Sequence, residues 1–399
     1  MAFTVRTINR SEFDRYEAVA MQTFGGDVPE GESRLPKVLR VERAYAAFDG
    51  NEIVGTAGAF DHKLTIGGGS IPMAGLTFVS VLPSHRRQGV LRALMAKHND
   101  DMEAHGECIS GLWASESSIY SRFGYGIAAE AHYLETDART LRFASEFVPD
   151  SIRFVDIKEA QESLAPLYEA IREQRPGLFT RSDSWWKTRT LYDGPGRRGA
   201  GSNLRVATAI RDGRVVGYIL YRQTAGNDRG LLDGAVTIAE LIGIDLKAEQ
   251  SLWYFAAHLD LYPHLTYWNA PLDCALPWLV EDRRRVRLLR TDTLWLRLHN
   301  IPAALEAREY LHDGQLSLSL RGEDASYALR VVDGRASCEA GHSEGAINLS
   351  REDLSSLFLG TVQPSQLAAV GRLDGTKKAV AVADALFKVA RVPWCPEIF

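Results

Sequence analysis

The stretch Val79-Ser80-Val81-Leu82-Pro83-Ser84-His85-Arg86-Arg87-Gln88-Gly89-Val90-Leu91 decides how the first part of this chain folds. Its apolar, β-branched beginning predicts a strand that ends at Pro83, and the apolar periodicity after Gly89 predicts a helix. A helix start offers unpaired backbone N–H groups and the positive end of the helix dipole, so this order of elements can bind a pyrophosphate. Arg86 and Arg87 add permanent positive charge, and Gly89 lets the backbone approach an anion closely. The alternative is an ordinary exposed basic turn between a strand and a helix.

This segment resembles the acyl-CoA-binding signature of the GNAT superfamily of N-acetyltransferases, Gln/Arg-x-x-Gly-x-Gly/Ala. Arg86, Gly89 and Leu91 occupy its defined positions. Leu91 departs from the general pattern and is similar to the Arg-Arg-x-Gly-hydrophobic-Leu version usual in the Eis (enhanced intracellular survival) branch. The segment 115–126 and the aromatic residue Phe399 also resemble that branch.

The resemblance implies that acetyl-CoA is the co-substrate and that no metal takes part. Acetyl transfer also requires polarisation of the thioester carbonyl, for which backbone N–H groups of a splayed Val79–Val81 strand are the candidates. The residues expected to bind acetyl-CoA are Val79, Ser80, Val81, Arg86, Arg87, Gln88, Gly89, Val90, Leu91, Arg92, Tyr120 and Ser121.

The composition excludes several classes of protein. A chain of 399 residues predicts two or three domains, and 45% hydrophobic with 24% charged residues is typical of a soluble globular protein. The net charge of −5 argues against general nucleic-acid binding and suits a cationic substrate. Its four cysteines form no Cys-x-x-Cys pair, which predicts a reducing, cytoplasmic location without a zinc site. No apolar run approaches the roughly 20 residues of a membrane span or resembles a signal peptide.

The middle third repeats the pattern of the first. Segments 44–55 and 204–217 both read as a strand, an Asp-Gly turn and a strand that begins with a hydrophobic-Val-Gly step. Thr237–Ile244 then matches the Val79 strand, but the following residues 245–250 lack the arginine pair and the glycine. We predict a duplication whose second copy is degenerate, although two hairpins of a common type are the alternative.

The final third has a different character. Leu316–Leu320 alternates strictly and part of Tyr327–Val332 does so too, which predicts half-buried strands. Ser350–Phe358 and Pro364–Val370 are predicted to be short helices. By its position in the chain this region is similar to the sterol-carrier-type domain that closes Eis proteins.

The fold class predicted from these patterns is α/β (α+β). It comprises two tandem GNAT folds, of which the second is degenerate, and a sterol-carrier-like α+β domain. The predicted domains are residues 1–145, 146–292 and 293–399.

Tyr125 is the predicted proton donor for the leaving thiolate. It lies between Gly124 and Gly126, which allow a sharp turn and hold the ring at a set angle. Tyrosine titrates near pH 10 and therefore remains protonated until charge develops nearby. A core tyrosine in a turn is the alternative.

The segment Arg391–Phe399, called the C-terminal tail below, contains two prolines and cannot continue a helix. Its aromatic side chains predict that it docks on another part of the protein. The resemblance implies that the α-carboxylate of Phe399 reaches the first domain and acts as the base. A free α-carboxyl has a pKa of about 3.5, so burial or a bridging water would be needed. A tail packed only for stability is the alternative.

The acceptor is expected to contact Asp27, Thr77, Phe78 and Glu397. Asp27 shares a loop with Glu30 and Glu32, and an acidic lining would suit a polycationic amine. A solvated loop explains the same charges.

The resemblance implies direct attack of an amine on the thioester, with aminoglycosides, polyamines or lysine side chains as acceptors. It also implies a homo-oligomer, a hexamer. Two other functions remain open. One is a sensor that binds acyl-CoA without transfer, and the other is a carrier whose third domain binds an apolar ligand.

Overall fold

The computed structural model describes residues 3–28, 33–341 and 346–399, so Glu30 and Glu32 lie outside the described residues. In the described ranges, no helix has the length and apolar character needed to cross a membrane.

The elements up to residue 127 form the greater part of the first domain. They are the strands β1 Thr4–Thr7, β2 Ala44–Asp49, β3 Glu52–Thr65, β4 Ser70–Val81, β5 Ile109–Trp113 and β6 Gly126–Ile127, and the helices α1 Phe13–Thr23, α2 Val90–His105 and α3 Ser117–Tyr120.

The middle elements form the second domain. Its strands are β7 Glu130–Asp137, β8 Ser151–Val155, β9 Arg205–Arg211, β10 Arg214–Thr224, β11 Asn227–Asp228, β12 Leu231–Leu232, β13 Ala235–Gly243, β14 His264–Pro271 and β15 Arg287–Asp292. Its helices are α4 Ala160–Arg172, α5 Asp183–Trp185 with a π-helical turn over Trp186–Thr190, α6 Leu246–Ala257 and α7 Leu276–Leu279.

The remaining elements include the third domain. They are the strands β16 Leu294–Leu298, β17 Gly314–Leu320, β18 Ser326–Val332, β19 Arg335–Ala340, β20 Ala346–Leu349 and β21 Leu373–Gly375, and the helices α8 Ile301–Glu306, α9 Arg351–Leu357, α10 Pro364–Ala369 and α11 Lys377–Phe387. The strands and helices predicted for this region from its alternating and capping patterns are present.

The two seven-stranded sheets have the same construction. The first runs β1-β2-β3-β4-β5-β16-β6, and the second, read from its far edge, runs β8-β9-β10-β13-β14-β7-β15. In each sheet the fourth and fifth strands are parallel, β4 with β5 and β13 with β14. This position-by-position agreement confirms the predicted duplication.

The two copies exchange one strand each. β7 follows β6 of the first sheet in the chain but pairs with β14 and β15 of the second sheet. β16 follows β15 of the second sheet in the chain but pairs with β5 and β6 of the first. The predicted domain limits at residues 145 and 292 therefore do not follow the sheets. Alternation of side chains shows that a segment is a strand, but it does not show which sheet supplies its hydrogen-bonding partners.

The third domain covers one face of the first sheet. Its own sheet runs β19-β18-β17-β20-β21, and α9 packs against β16 and β6. Ser350 caps α9 by accepting a hydrogen bond from the Asp353 backbone N–H, 3.0 Å away. Leu354 and Leu357 of α9 belong to one continuous apolar core with residues of the first sheet. Helix α2 covers the opposite face through a separate cluster.

The C-terminal tail docks, as its aromatic content predicts, and it does so across the second domain. The Trp394 backbone N–H donates to the Pro176 carbonyl at 3.0 Å, and its indole Nε1–H donates to the Asn269 carbonyl at 3.0 Å. Asn269 Nδ2 donates in turn to the Cys395 carbonyl at 2.9 Å. Trp394 is only 2% exposed. Trp394 is therefore part of the second domain's core.

We expect Gly177→Ala to loosen this docking. Gly177 has φ +92°, and a Cβ there would lie 2.6 Å from the Trp394 carbonyl oxygen, so the tail backbone would have to move. The matched control is Gly213→Ala, with φ +75° and nothing within 4 Å of the added Cβ. Both variants should lose roughly 1–2 kcal/mol of unfolding free energy to backbone strain, and Gly177→Ala should lose about 1–3 kcal/mol more through the clash. Equal losses in chemical denaturation would contradict this account of the tail.

Candidate active site

Two neighbouring strands of the first sheet separate at its centre. β4 pairs with β5 only from Met73 to Gly75, opposite Ile109 to Gly111. Beyond Gly75, in the described residues, β4 pairs only with β3 on its other side. The edge of β4 from residue 76 to 81 therefore faces an opening with backbone groups that a closed sheet would have used.

A bulge shapes β4 next to this opening. The register with β3 shifts between the pairs Thr56–Ser80 and Gly58–Thr77, and Phe78 has the left-handed φ of +51°. The Thr56 hydroxyl holds the bulge, because it donates to the Phe78 carbonyl at 2.6 Å and lies 2.7 Å from the Ser80 hydroxyl. The bulge turns Phe78 away from the side on which Val79 lies.

The basic turn places the N-terminus of α2 at the same opening. Arg87 has φ +62° and Gly89 has φ +87°, so the helix begins at Val90, directly after these two left-handed residues. No side chain caps this end, and the first helical bond is Ala93 N–H to the Gly89 carbonyl, at 3.1 Å. A Cβ on Gly89 would meet no protein atom within 4 Å. The preceding N–H groups are thus free to bind an anion.

An open groove of about 950 Å³ runs from the strand opening past this helix end. Ten predicted cofactor residues line it: Val79, Ser80, Val81, Arg86, Arg87, Gly89, Val90, Leu91, Arg92 and Tyr120. The other two predicted residues, Gln88 and Ser121, do not line the groove. Gln88 Nε2 instead donates to the Ser84 carbonyl at 3.0 Å. The groove and the uncapped helix end fit a long, flexible molecule with a pyrophosphate.

Sequence reasoning missed part of this lining. The residues not anticipated are Thr23, Phe24, His85, Ser115, Glu116, Ser118, Ile119, Arg122 and Phe123. Most of them belong to the segment 115–126, whose similarity to the Eis branch was the available signal.

Tyr125 lies behind the groove wall, fully buried. Its ring centre is 6.1 Å from that of Tyr120, which lines the groove. Its hydroxyl is 2.6 Å from the Ser110 hydroxyl, which is 3.0 Å from Nε2 of His299. Burial raises the pKa of Tyr125, so the phenol remains protonated, while burial and the nearby Arg297 lower the pKa of His299 to about 2, so the imidazole is neutral.

Ser110 brings this hydroxyl chain close to the strand opening. It precedes Gly111, the last residue of β5 that pairs with β4. Because side chains alternate along a strand, Ser110 points to the α2 face, and Tyr125 belongs to the apolar cluster of α2. Neither Ser110 nor His299 was anticipated from the sequence, since neither carries a motif.

The end of the C-terminal tail lies on the other face of the same opening. The Phe399 ring packs against His62 and Phe179, each at a centroid distance of 5.5 Å. A Cβ on Gly75 would lie 3.3 Å from the Phe399 ring. Arg189 Nη2 donates to the Ile398 carbonyl at 2.6 Å. The tail thus ends beside the residue at which β4 and β5 part.

A cavity of about 370 Å³ opens on this second side. Asp27 and Phe78 line it, as expected for the acceptor site, and Thr77 is buried outside the lining. Glu397 also lies outside, because its carboxylate forms a buried ion pair with Arg181 of the second domain. Buried in this way, the Glu397 carboxylate requires a counter-charge, and Arg181 supplies it.

The lining of this cavity is not simply acidic. Glu17 and Asp27 contribute carboxylates, but Arg34, Arg189 and Arg197 contribute guanidinium groups. The expectation of an acidic lining for a polycation is corrected here for the described residues. The arginines come from parts of the chain distant from Asp27, so the loop sequence alone did not reveal them.

The corresponding opening in the second sheet is almost filled and retains a cavity of only about 30 Å³. β13 and β14 also separate, after pairing over Ala235–Ile238. The Tyr267 hydroxyl accepts a hydrogen bond from the Leu241 N–H at 3.2 Å, and Trp394 packs into the adjoining cluster. The following helix, α6, is capped by Asp245, whose carboxylate accepts from the Ala248 N–H at 2.8 Å. The second copy therefore presents no anion site there.

The comparisons with known proteins agree with this architecture. Residues 4–128 and 177–298 match two different families, each described as acetyltransferase (GNAT) domain, and residues 301–396 match the sterol carrier protein domain. The fold and the uncapped helix beside a splayed strand define an acetyltransferase enzyme of the GNAT class.

Full-length relatives narrow the assignment. An uncharacterized N-acetyltransferase of Streptomyces avermitilis is 34% identical over the whole of both chains. N-acetyltransferase Eis of Mycobacterium tuberculosis is 38% identical over 333 residues, which cover 81% of this chain and 80% of that protein. The chain belongs to the Eis family of N-acetyltransferases.

Solved structures show the same fold over the full length. The crystal structure of Eis1 from Mycobacterium abscessus matches with a TM-score of 0.85 and 27% identity over 100% of both chains. A GCN5-related N-acetyltransferase from Anabaena variabilis matches with a TM-score of 0.87 at 20% identity, also over 100% of both chains.

We expect Gly89→Ala to weaken acetyl-CoA binding, because alanine resists the left-handed backbone that points the helix N–H groups into the groove. Calorimetry should show a dissociation constant at least about tenfold higher, and the double variant Arg87→Gln/Gly89→Ala a larger rise. The matched control is Gly106→Ala at the other end of α2, with φ +66° and open space around its Cβ. An unchanged affinity in the double variant would refute the anion site.

Proposed function

We propose that this chain transfers the acetyl group of acetyl-CoA to an amine of an aminoglycoside-, polyamine- or lysine-type acceptor by direct attack on the thioester. One observation carries the proposal. Phe78 lines the acceptor cavity, and the next residues, 79–81, line the groove, so the two spaces adjoin at the bulge of β4. A thioester and an amine entering from the two sides would meet at this bulge.

Acetyl-CoA supplies the activated acetyl thioester when it is bound. The N-terminus of α2, with Arg86 and Arg87, would hold its pyrophosphate by backbone donors and charge. Backbone N–H groups of Val79–Val81 would orient and polarise the thioester carbonyl, because β5 no longer uses that edge of β4.

Tyr125 is proposed as the donor to the leaving sulfur. Support comes from its protonated state and from the position of its hydroxyl, one hydrogen bond from Ser110 at the strand opening. The buried phenol would regain a proton through Ser110 and the half-buried His299.

The Phe399 carboxylate is proposed as the base, directly or through a water. The packing of its ring at Gly75 supports this role, because it brings the chain end to the opening from the face opposite Tyr125. The donor and the base would thus act from the two faces of one sheet.

The proposal includes a cytoplasmic homo-oligomer, with the hexamer of the resemblance as the expected state. Support for self-association comes from the edge strand β15, where Leu289 is 69% exposed. The four cysteines are free, as a reducing compartment requires.

Release of free CoA thiol with a panel of amines tests the proposed function. Acceptor-dependent release supports transfer. Binding of acetyl-CoA without release under any amine would instead favour the sensor. Co-purification of a lipid without release would favour the apolar-ligand carrier.

We expect Tyr125→Phe to slow transfer about a hundredfold with an unchanged dissociation constant for acetyl-CoA, because only the donor to sulfur is lost. Tyr45→Phe is the control, since it removes another fully buried hydroxyl, bonded to His98 at 2.6 Å, from the same cluster. Rates should be measured at saturating amine. Equal losses in both variants would remove Tyr125 from the mechanism.

A short Gly-Ser extension after Phe399 should lower the turnover number at least about tenfold, because it replaces the carboxylate with a neutral amide at the same place. The same extension at the N-terminus is the control, and the melting temperature should be unchanged in both. Full activity in the C-terminally extended protein would exclude the terminal carboxylate as the base.

A further inference from the structure

We propose that the acceptor amine also carries an anionic group, a carboxylate or a phosphate, which Arg34 and Arg197 bind in the acceptor cavity. This inference rests on the proposed function and narrows its acceptor. Of the three acceptor classes named above, only a lysine-type molecule with a free carboxylate carries both charges.

The hydrogen bonds of the arginines that line the acceptor cavity go to backbone carbonyls. Arg34 Nη1 donates to the Thr188 carbonyl at 2.8 Å, and Arg197 Nη1 donates to the Arg189 carbonyl at 3.2 Å. In the described ranges, none of the three cavity arginines, Arg34, Arg189 and Arg197, lies within ion-pair distance of an acidic group. A guanidinium group has five N–H donors, so each of them retains several that can face a ligand.

The nearest acidic groups of the second domain are already engaged. Arg181 is buried between Glu240 and Glu397, and both carboxylates pair with it. Asp193 pairs with Arg198 and Arg222. In the described part of the chain, these carboxylates therefore form their ion pairs with arginines other than those of the cavity.

The arginines also repel one another. Burial, together with the charges of Arg197 and Arg34, lowers the pKa of Arg189 to about 10, and Glu397 offsets part of the effect. Burial and Arg34 likewise lower the pKa of Arg197. A bound anion would relieve this repulsion, and planar guanidinium groups suit carboxylate and phosphate geometry.

The same cavity offers a place for the amine. Glu17 and Asp27 line it, and Glu17 accepts a hydrogen bond from the Ser33 hydroxyl. Burial raises the pKa of Glu17, so its charged form would gain from a nearby ammonium. Arg34 stacks on Tyr192 at 3.2 Å, which holds its guanidinium in a fixed plane. A cavity with both signs of charge matches an acceptor with both signs.

The test uses four amines on the full-length protein: 5-aminopentanoic acid, its primary amide, 1,5-diaminopentane and 4-aminobutyl phosphate. We expect kcat/KM for the acid or the phosphate to exceed that of the amide and the diamine at least about tenfold. The ratio between acid and phosphate identifies the anion. Higher kcat/KM for the diamine would overturn the inference while leaving the proposed function intact. No CoA release with any amine would overturn both.

Arg197→Gln should reduce kcat/KM for the anionic amines about tenfold, mainly through KM, and should reduce kcat/KM for the amide much less. Arg197→Lys should restore part of the preference, because it keeps the charge. Arg214→Gln, an exposed arginine of β10, is the control. If Arg197→Gln is unstable by melting temperature, Arg34→Gln provides the same comparison. An acid-to-amide ratio unchanged in every stable arginine variant would overturn the inference.

Discussion

The separation of β4 from β5 after Gly75 is the constraint on which the rest of this site depends. Backbone N–H and C=O groups are seldom left without partners in a protein interior. On the side that faces β3, β4 is paired, and the Thr56 hydroxyl holds the bulge at Phe78. On the side that faces β5, the backbone groups of β4 beyond Gly75 are left open. The groove, the acceptor cavity, the Tyr125 hydroxyl and the tail are all arranged around this opening.

The second copy shows what happens when the same opening is closed. There the strands also part, but the Tyr267 hydroxyl and the indole of Trp394 occupy the space, and Asp245 neutralises the helix start. Gly89 and Asp245 stand at the same position in the two helices. At this position the glycine leaves the helix N–H groups open, whereas the carboxylate caps them. The second copy binds the C-terminal tail through Trp394, and the end of the tail packs against His62 of the first domain.

Local patterns predicted much of this structure. The basic turn, the duplication and the alternating strands of the third domain follow from residues close in sequence, and the tail's docking follows from its aromatic content. Three features depend on distant segments and escaped prediction. They are the exchange of β7 and β16, the Ser110–His299 partners of Tyr125, and the arginines of the acceptor cavity. Glu397 was expected at the substrate, but burial required a counter-charge, which Arg181 supplies.

The exchanged strands have a consequence for folding during synthesis. β16 completes the first sheet with residues 294–298, and the tail supplies residues 391–399. The first sheet can therefore close only after residues 294–298 have been synthesised. Until then the unpaired edge of β5 can pair with the strands of other chains, which is a known route to aggregation.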